Sequence, residues 1–433
     1  MANMRLQLLA AALLPQLLIG AGAVSLWEPT GQYHVGYTHH VFNHSTPVDP
    51  TPNPGILLVS IFYPTLQAPN TTVPYLDAAT AQVYEQAFGF PNGTISTVTT
   101  QLQHQAPALP GTDDPASGGN NGSSPSYPTL IFTPGAGGLV AIYKAYLGEL
   151  ASHGFTVVAV DHPGEALYTA VPPGHPGAPG VAGPPGIMSG AADAGTYSQI
   201  YDYRVADVRA VMGAPILPAL VAARGAPLNT THLGVWGHSI GGAGAAGVII
   251  AALEEESDDY DDYAHPPPKR YRAGANLDGA YTNLLRAVRP NETAAGTAAP
   301  DLRTPFLELA SARFHGREDG GGGPGADTTW ALFNRNQSAW LRDVYVDGTA
   351  HLDYTDLPLL VDGLGFRGAV GGGANSSLPL GSIAGKRSTE VVTGLLLRFF
   401  GEMVGGGVPA GLRGSADEFI GETPEAIVLA ERG

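Results

Sequence analysis

The chain contains no cysteine, which excludes disulfide bridges, thiolate nucleophiles and zinc–thiolate sites. Charged residues make up only 14% of its 433 residues, well below the usual quarter. Positive charge is the scarcer sign, because 21 Lys and Arg face 38 Asp and Glu and leave a formal net charge of −17. A chain this acidic is a poor partner for nucleic acid. We therefore predict no nucleic-acid partner and, if the protein carries a nucleophile, an oxygen nucleophile.

Glycine and proline, in contrast, are abundant. The chain has 59 Gly and 37 Pro without the strict three-residue period of collagen. Hydrophobic residues account for 44% of the chain, which is enough to form a large core. The composition therefore predicts a globular protein with long Gly/Pro-rich loop insertions and excludes a wholly disordered or fibrous one.

The first 23 residues have the pattern of a secretory signal peptide. Arg5 precedes an apolar run from Leu6 to Ile19, and Ala21–Ala23 has the small residues of a cleavage site. The run is too short, and too interrupted by Pro15, for a membrane span. No later segment has the composition of a transmembrane helix. We therefore expect a secreted, extracellular protein from which residues 1–23 are removed.

Asn-X-Ser/Thr sequons are spread along the chain, mostly in segments predicted as loops. There are eight, at Asn43, Asn70, Asn92, Asn121, Asn229, Asn291, Asn336 and Asn375. Behind a signal peptide, this number predicts a glycoprotein. Secretion without cysteine also implies that the core is large enough to hold the fold without disulfides.

Apolar, β-branched and aromatic runs alternate with helical segments. We predict strands at Ile56–Tyr63, Thr129–Thr133, Thr156–Val160, His232–Trp236, Ala273–Leu277, Pro305–Ala310 and Arg342–Val346. Helices are predicted at Val140–His153, Tyr197–Met212, Ser239–Leu253 and Ser388–Val404. This alternation is typical of an α/β fold, with a mostly parallel central sheet flanked by helices. We expect a single domain over residues 24–433, with a core of about 31–402 and a short C-terminal tail.

The sequence Gly237-His238-Ser239-Ile240-Gly241 directly follows a predicted strand and precedes a helix. A G-x-S-x-G in this strand–turn–helix context is typical of the nucleophile elbow of the α/β-hydrolase fold. Gly237 and Gly241 permit the tight turn, and Ser239 is the candidate nucleophile. The alternative is a glycine-rich turn with a capping serine.

A serine nucleophile needs an imidazole to accept its proton and a carboxylate to orient that imidazole. In the α/β-hydrolase fold the three residues follow in the order Ser, Asp, His. Asp278 ends the predicted strand Ala273–Leu277 and is the candidate acid; the alternative is a turn residue. Two histidines follow it, His315 and His351. We favour His351, because it comes a short loop after the strand Arg342–Val346, whereas His315 leads into glycine-rich sequence.

A glycine-rich turn, Pro134-Gly-Ala-Gly-Gly138, follows the predicted strand Thr129–Thr133. Such a turn can aim a backbone N–H at a reacting carbonyl. We assign one oxyanion donor to the Ala136 N–H and the second to the Ile240 N–H. A phosphate-binding loop is the alternative, but no Lys-Ser/Thr follows the glycines.

Three other clusters have ordinary structural interpretations. Glu254–Asp262 is strongly acidic, but its spacing is not that of an EF-hand loop, and runs of like charge are usually solvated. Arg204 and Asp207 are three residues apart on a predicted helix, which favours a surface pair over a catalytic one. The histidines of His39–His44 lack nearby acidic residues, so loop positions are favoured over a metal site. We expect no metal and no cofactor.

Several segments resemble, in the same order, the secreted plasma-type platelet-activating-factor acetylhydrolases. They are Tyr33–Thr38 (YHVGYT), Ile61–Pro64 (IFYP), Phe132–Gly138 (FTPGAGG), Tyr143–Leu150, Ala151–His162 (ASHGFTVVAVDH), Gly237–Gly242 (GHSIGG), Leu277–Tyr281 (LDGAY) and Gly348–His351 (GTAH) with Asp356. The similarity covers roughly residues 31–402. The stretch Glu165–Gly195, which would border the substrate pocket, lacks it.

The resemblance implies an α/β-hydrolase fold and calcium-independent hydrolysis of short or oxidised sn-2 acyl chains of glycerophospholipids. It matches Ser239 to the family nucleophile, Asp278 to the acid and His351 to the base, with Ala136 and Ile240 at the oxyanion donors. We therefore expect a secreted serine esterase whose substrate is a small-molecule or phospholipid ester and whose contact with lipid surfaces is open. The alternatives are another carboxylester hydrolase, such as an acetyl-ester or polyester hydrolase, and a catalytically silent binding glycoprotein on the same fold.

Overall fold

The computed structural model describes residues 24–47, 49–109, 127–223, 227–258, 270–288, 299–311, 328–370, 378–405, 412 and 414–433. The predicted signal peptide, the alternative base His315 and the sequons Asn121, Asn291 and Asn375 lie outside these residues.

A ten-stranded sheet forms the centre of the molecule. Its strands are β1 His34–Asn43, β2 Ile56–Thr65, β3 Gln103–His104, β4 Thr129–Thr133, β5 Thr156–Asp161, β6 Leu233–His238, β7 Tyr271–Leu277, β8 Phe306–Ala310, β9 Leu341–Val346 and β10 Ala426–Arg432. Their order across the sheet is β10-β9-β8-β7-β6-β4-β5-β2-β1-β3. The strands from β5 to β9 pair in parallel, whereas β2 pairs antiparallel with β5 and with β1, and β10 pairs antiparallel with β9.

Helices cover both faces of this sheet. They are α1 Ala78–Phe88, α2 Lys144–Ser152, α3 Pro185–Met188, α4 Ala194–Val211, α5 Ile216–Ala222, α6 Ile240–Asp258, α7 Thr282–Val288, α8 Thr329–Asn334, α9 Leu357–Gly363, α10 Arg367–Val370, α11 Gly385–Met403 and α12 Ala416–Glu422. Short 3-10 turns occur at Ile95–Thr97, Val140–Tyr143 and His351–Tyr354. Two small sheets lie outside the main one and join Val24–Ser25, Val98–Thr100 and Val73–Pro74, and Thr169–Ala170 with Gly180–Val181.

The core explains why the central strands are apolar without alternation. Every residue of β2, β4 and β5 is buried, because helices pack on both faces of these strands. On one face the main core cluster includes the apolar stripe of α11, and on the other a second cluster includes residues of α4 and α6. The Trp340 ring stacks on Phe399 of α11 at 5.2 Å between centroids.

The predicted fold class, an α/β fold with a mostly parallel sheet flanked by helices, is confirmed. Each of the seven predicted strands occurs, with bounds that differ by no more than two residues. The predicted helix Val140–His153 is divided between a 3-10 turn and α2, and the helix predicted from Ser239 begins at Ile240. The acidic run Glu254–Asp262 starts within α6, and its last residues lie outside the described part of the chain.

The prediction that the chain ends in a short tail after about residue 402 is wrong. β10, at Ala426–Arg432, completes one side of the main sheet, and α12 packs against α11. β10 is mostly exposed or half-buried, as expected of a strand at the sheet edge, so its sequence lacks the continuous apolar run that marks the central strands.

Among the described residues, no single helix is long and apolar enough to cross a membrane. α4 and α5, which are bent by 43° relative to each other, have the length and apolar composition of a membrane span only when they are taken together.

Candidate active site

The carboxyl ends of the parallel strands bring the predicted site residues together. Ser239 directly follows β6, and Asp278 directly follows β7. His351 opens the 3-10 turn after β9, and Ala136 lies in the turn after β4. Parallel strands end at one edge of a sheet, which is where ligands of α/β proteins usually bind.

The turn at Ser239 requires small neighbours. A Cβ on Gly237 would lie 2.5 Å from the Gly241 carbonyl carbon, and one on Gly241 would lie 2.4 Å from the Thr133 carbonyl oxygen. Ser239 itself has φ of +56°, a left-handed conformation that is unfavourable for most residues, and its N–H donates to the Leu277 carbonyl at 2.7 Å. This is the sharp strand-to-helix turn that the sequence predicts, and it places the Ser239 hydroxyl at the start of α6.

Ser239, His351 and Asp278 form one continuous chain of hydrogen bonds. His351 Nε2 lies 3.0 Å from Ser239 Oγ, and His351 Nδ1 lies 2.7 Å from Asp278 Oδ2. The Asp278 carboxylate is fully buried, whereas the His351 side chain is 24% exposed. An ionised Asp278 can only accept, so it places the imidazole proton on Nδ1 and leaves Nε2 to accept the serine proton. The geometry suits a serine nucleophile and a histidine base.

Ser311 is a partner of Asp278 that the sequence analysis did not find. Its N–H donates to Asp278 Oδ1 at 2.5 Å, and its hydroxyl donates to Asp278 Oδ2 at 2.8 Å. Ser311 is fully buried and directly follows β8, so it reaches the same sheet edge. With the His351 bond, these contacts fix the carboxylate in one orientation. Its position one residue after a strand was the available signal.

The turn after β4 lies against the Ser239 elbow. A Cβ on Gly135 would be 3.3 Å from Ser239 Cβ. The Gly137 N–H donates to Glu165 Oε1 at 2.8 Å, and the Gly138 N–H donates to the Gly135 carbonyl at 2.9 Å. Within the described residues no protein group accepts the Ala136 N–H. Ala136 therefore presents the amide of this turn that is available to a ligand.

Ile240 supplies the other predicted donor position. It is the first residue of α6, and the first N–H groups of a helix have no intrahelical acceptor. The positive end of the helix also favours a negative charge at this point. An oxyanion beside Ser239 would therefore meet a helix N-terminus on one side and the β4 turn on the other.

His238 links the β4 turn to the His351 turn. The Gly135 N–H donates to Tyr143 Oη at 3.0 Å, and this hydroxyl is 2.8 Å from His238 Nδ1. His238 Nε2 donates to the His351 carbonyl at 3.0 Å. Burial, with the nearby His351, holds the pKa of His238 well below its usual value, so its ring is neutral and the chain of donors is fixed.

The interpretation of Arg204 and Asp207 as a surface pair is wrong. Both side chains are 1% exposed. Arg204 pairs with Glu165, and Asp207 Oδ2 lies 2.7 Å from His162 Nδ1. Burial raises the pKa of Asp207 to about 7. The available signal was the helical spacing, since other residues buried on α4 recur around these positions, among them Ile200, Tyr203, Val208 and Val211.

The histidines of His39–His44 bond to neighbouring groups. His39 Nδ1 is 3.1 Å from Ser60 Oγ, and His40 Nε2 is 3.2 Å from Thr38 Oγ1. Burial lowers the pKa of His39 to about 4, with a smaller contribution from His40. In the described part of the chain, no group of three or more His, Asp or Glu could hold a metal ion.

The described sequons differ in accessibility. Asn43, Asn70 and Asn92 are exposed. Asn336 is half-buried, and its Nδ2 donates to the Ala299 carbonyl at 2.7 Å. Asn229 is only 3% exposed, so the fold argues against the predicted glycosylation at that position.

Comparisons with known proteins agree with the fold. The model of the family described as platelet-activating factor acetylhydrolase, isoform II, matches residues 19–171. A probable 1-alkyl-2-acetylglycerophosphocholine esterase of Arthroderma benhamiae is 23% identical over 319 residues, which cover 72% of this chain and 68% of the relative. A solved ferulic acid esterase from Streptomyces cinnamoneus superposes with a TM-score of 0.62 at 22% identity, covering 94% of this chain and 100% of its own.

The fold and the sequence matches support a carboxylic ester hydrolase on the α/β-hydrolase fold. The predicted resemblance to the platelet-activating-factor acetylhydrolases is confirmed by the family match and by the curated relative. The family match includes the turn at Ala136 and ends before β6. The assignment of Ser239, Asp278 and His351 therefore depends chiefly on the geometry described above.

Proposed function

We propose that the protein hydrolyses carboxylic esters through an acyl-enzyme on Ser239. The observation that carries the proposal is the continuous chain from Ser239 Oγ through the His351 ring to Asp278, with distances of 3.0 and 2.7 Å. His351 accepts the serine proton as Ser239 attacks the ester carbonyl, and then gives that proton to the leaving alcohol. The Asp278 carboxylate stabilises the imidazolium.

The negative charge on the tetrahedral intermediate would be held by two backbone donors. In the proposal these are the N–H groups of Ala136 and Ile240, which flank Ser239 from the β4 turn and from the start of α6. A water molecule activated by His351 then attacks the acyl-enzyme, Ser239 leaves with its proton, and the carboxylic acid is released.

The proposed substrate is the sn-2 acetyl or short acyl group of a platelet-activating-factor-like phospholipid. The family match and the curated relative, named for cleavage of 1-alkyl-2-acetylglycerophosphocholine, support this choice. The stretch Glu165–Gly195, most of which lies beyond the end of the family match at residue 171, borders the site, since a Cβ on Gly137 would lie 2.6 Å from Met188 Cβ. Acyl-chain preference is therefore the property on which this chain can differ most from its relatives.

Initial rates on matched phospholipids test the substrate. We expect kcat/KM for 1-alkyl-2-acetylglycerophosphocholine to exceed that for the 2-palmitoyl analogue by at least ~100-fold, because methylenes that do not fit a pocket each cost about tenfold or more. Excess EDTA should leave the rate unchanged. A series of nitrophenyl esters from acetate to palmitate supplies the comparison without a head group. Equal rates on both phospholipids, or cleavage of nitrophenyl esters alone, would contradict the proposed substrate.

We further propose that the chain is secreted and glycosylated. The signal-peptide pattern of residues 1–23 and the exposure of Asn43, Asn70 and Asn92 support this. Expression in a eukaryotic host should release a protein that begins at Val24 and loses mass on enzymatic removal of N-glycans. Replacing the three exposed asparagines by glutamine should remove part of that mass difference. A protein that stays inside the cell with Met1 intact, or an unchanged mass, would contradict the proposal.

A further inference from the structure

A buried ion pair lies directly behind the turn that carries Ala136. Arg204 Nε donates to Glu165 Oε2 at 2.9 Å, and Arg204 Nη2 donates to Glu165 Oε1 at 2.6 Å. Both side chains are 1% exposed. A buried pair contributes little net stability, because both charges must leave water. Its other contacts therefore indicate what it does.

Three of those contacts are made to the backbone on both sides of Ala136, and the other two join Arg204 to the Thr133 hydroxyl and Glu165 to the Tyr203 hydroxyl. Arg204 Nη1 donates to the Pro134 carbonyl, and Nη2 donates to the Gly135 carbonyl at 2.9 Å. Glu165 Oε1 accepts the Gly137 N–H at 2.8 Å. The ion pair thus holds the two carbonyls before the Ala136 amide and the N–H after it.

Through the geometry of the peptide group, these contacts fix the direction of the Ala136 N–H. The Gly135–Ala136 peptide is trans, so its C=O and N–H are coplanar and point in opposite directions. Because Arg204 and the Gly138 N–H both donate to the Gly135 carbonyl, the Ala136 N–H points away from the ion pair. Glu165 meanwhile occupies the Gly137 N–H, which can then not compete for the same ligand.

The charge of Arg204 acts through the same peptide. A cation bonded to a carbonyl polarises the peptide and makes its N–H a stronger donor. Burial alone would raise the pKa of Glu165, but Arg204 outweighs this and keeps that pKa below its usual value. Both partners are therefore charged at neutral pH.

We propose that Glu165 and Arg204 are positioning residues that orient and polarise the Ala136 N–H as an oxyanion donor. The inference rests on the proposed function, in which a tetrahedral oxyanion forms at Ser239. A purely structural role would affect only the stability of the fold. The positioning role predicts weaker stabilisation of the transition state, and therefore a lower kcat, with little change in binding of the ester.

The double variant Arg204→Met with Glu165→Gln tests this proposal. It replaces the buried ion pair by neutral groups, leaves an oxygen to accept the Gly137 N–H, and removes the arginine bonds to the Pro134 and Gly135 carbonyls, the second of which keeps only its bond from the Gly138 N–H. We expect kcat on nitrophenyl acetate to fall about 100-fold, with KM within about threefold, since a misplaced oxyanion donor costs this much. Affinity for a trifluoromethyl ketone, which forms a tetrahedral adduct on the serine, should fall by a similar factor.

A matched control is available elsewhere in the fold. Arg342 donates to Asp417 at 2.7 and 2.9 Å and to the carbonyls of Leu341 and Arg432, but it lies at the start of β9, away from His351. Arg342→Met with Asp417→Asn removes an arginine–carboxylate pair that also involves two backbone carbonyls, although Asp417, unlike Glu165, is half exposed. Its thermal stability should fall, while its kcat stays within about threefold of wild type.

Arg204→Lys supplies a second, milder variant. It keeps the charge but cannot bond two carbonyls and a carboxylate in one plane, so we expect a kcat between those of wild type and the double variant. If the double variant does not fold, Arg204→Lys tests the proposal instead, with kcat and the affinity for the trifluoromethyl ketone as the two measurements.

Three results would overturn the positioning role: a kcat within threefold of wild type, a higher KM with kcat unchanged, or an equal loss in the Arg342 control. Wild-type protein that neither hydrolyses esters nor reacts with a fluorophosphonate would instead contradict the proposed function. The two failures are therefore distinguishable.

Discussion

Ser239→Ala is expected to lower ester turnover by roughly a million-fold, to the level that binding and oxyanion stabilisation alone provide. The reason is chemical, since the substitution removes the hydroxyl oxygen that lies 3.0 Å from His351 Nε2 in position to attack. Alanine keeps the Cβ and places no new atom in the tight turn, so the fold should persist. The measurement is kcat/KM on nitrophenyl acetate, with thermal unfolding as the check on structure.

A buried serine away from the site supplies the control for this result. Ser152 is fully buried in α2, where its hydroxyl donates to the Glu149 carbonyl at 2.8 Å. Ser152→Ala should change stability and leave kcat/KM within about threefold. Activity above one per cent of wild type in a folded Ser239→Ala variant would mean that another residue is the nucleophile.

Asp278→Asn is expected to lower kcat by about 10⁴-fold with little change in KM. Asp278 Oδ1 accepts the Ser311 N–H, and Oδ2 accepts from Ser311 Oγ and His351 Nδ1. An asparagine that keeps its oxygen on the Ser311 amide turns its NH₂ toward His351. That donor forces the imidazole proton onto Nε2, where it can no longer accept the proton of Ser239.

The control for this substitution is another buried carboxylate. Glu149 is 3% exposed and accepts from Trp27 Nε1 at 2.8 Å and from the Thr30 N–H at 2.9 Å. Glu149→Gln should change stability more than kcat. A loss of less than tenfold in Asp278→Asn would show that the Asp278–His351 bond does not set the tautomer.

The sequence predicted the central strands well because burial on both faces makes them apolar throughout. β4 is predicted to the residue, and β5 and β6 differ by two residues or fewer. The sequence analysis did not predict β1 and β10, because these strands are not buried on both faces. β1 and β10 are partly exposed, so exposed and half-buried residues interrupt their apolar pattern.

The candidate site was predictable where a residue directly follows a strand. Ser239 and Asp278 stand at such positions, and local sequence alone indicates the tight turn at Ser239. The pair Glu165–Arg204 was not predictable in this way. Its partners are 39 residues apart in the chain, and charged residues are almost never fully buried unless they are paired. Only tertiary packing shows that α4 turns Arg204 toward the β4 turn.

The family match reaches residue 171 and so includes the turn at Ala136 but not the elbow at Ser239. The turn at Ala136 is thus the part of the candidate site that lies within the family match. The Ser239–His351–Asp278 chain depends on the folded structure, where strands far apart in sequence end side by side. Because Ser239 lies outside the family match, an experiment that identifies the nucleophile is the most informative one.

Covalent labelling with a fluorophosphonate probe, followed by mass spectrometry of the peptides, tests that point most directly. An activated serine attacks the phosphorus and becomes a stable phosphonyl ester, so the modified residue identifies the nucleophile. We expect a single adduct on Ser239 in wild-type protein and none in Ser239→Ala. A folded wild-type protein without an adduct, or with its adduct on a different residue, would contradict the account.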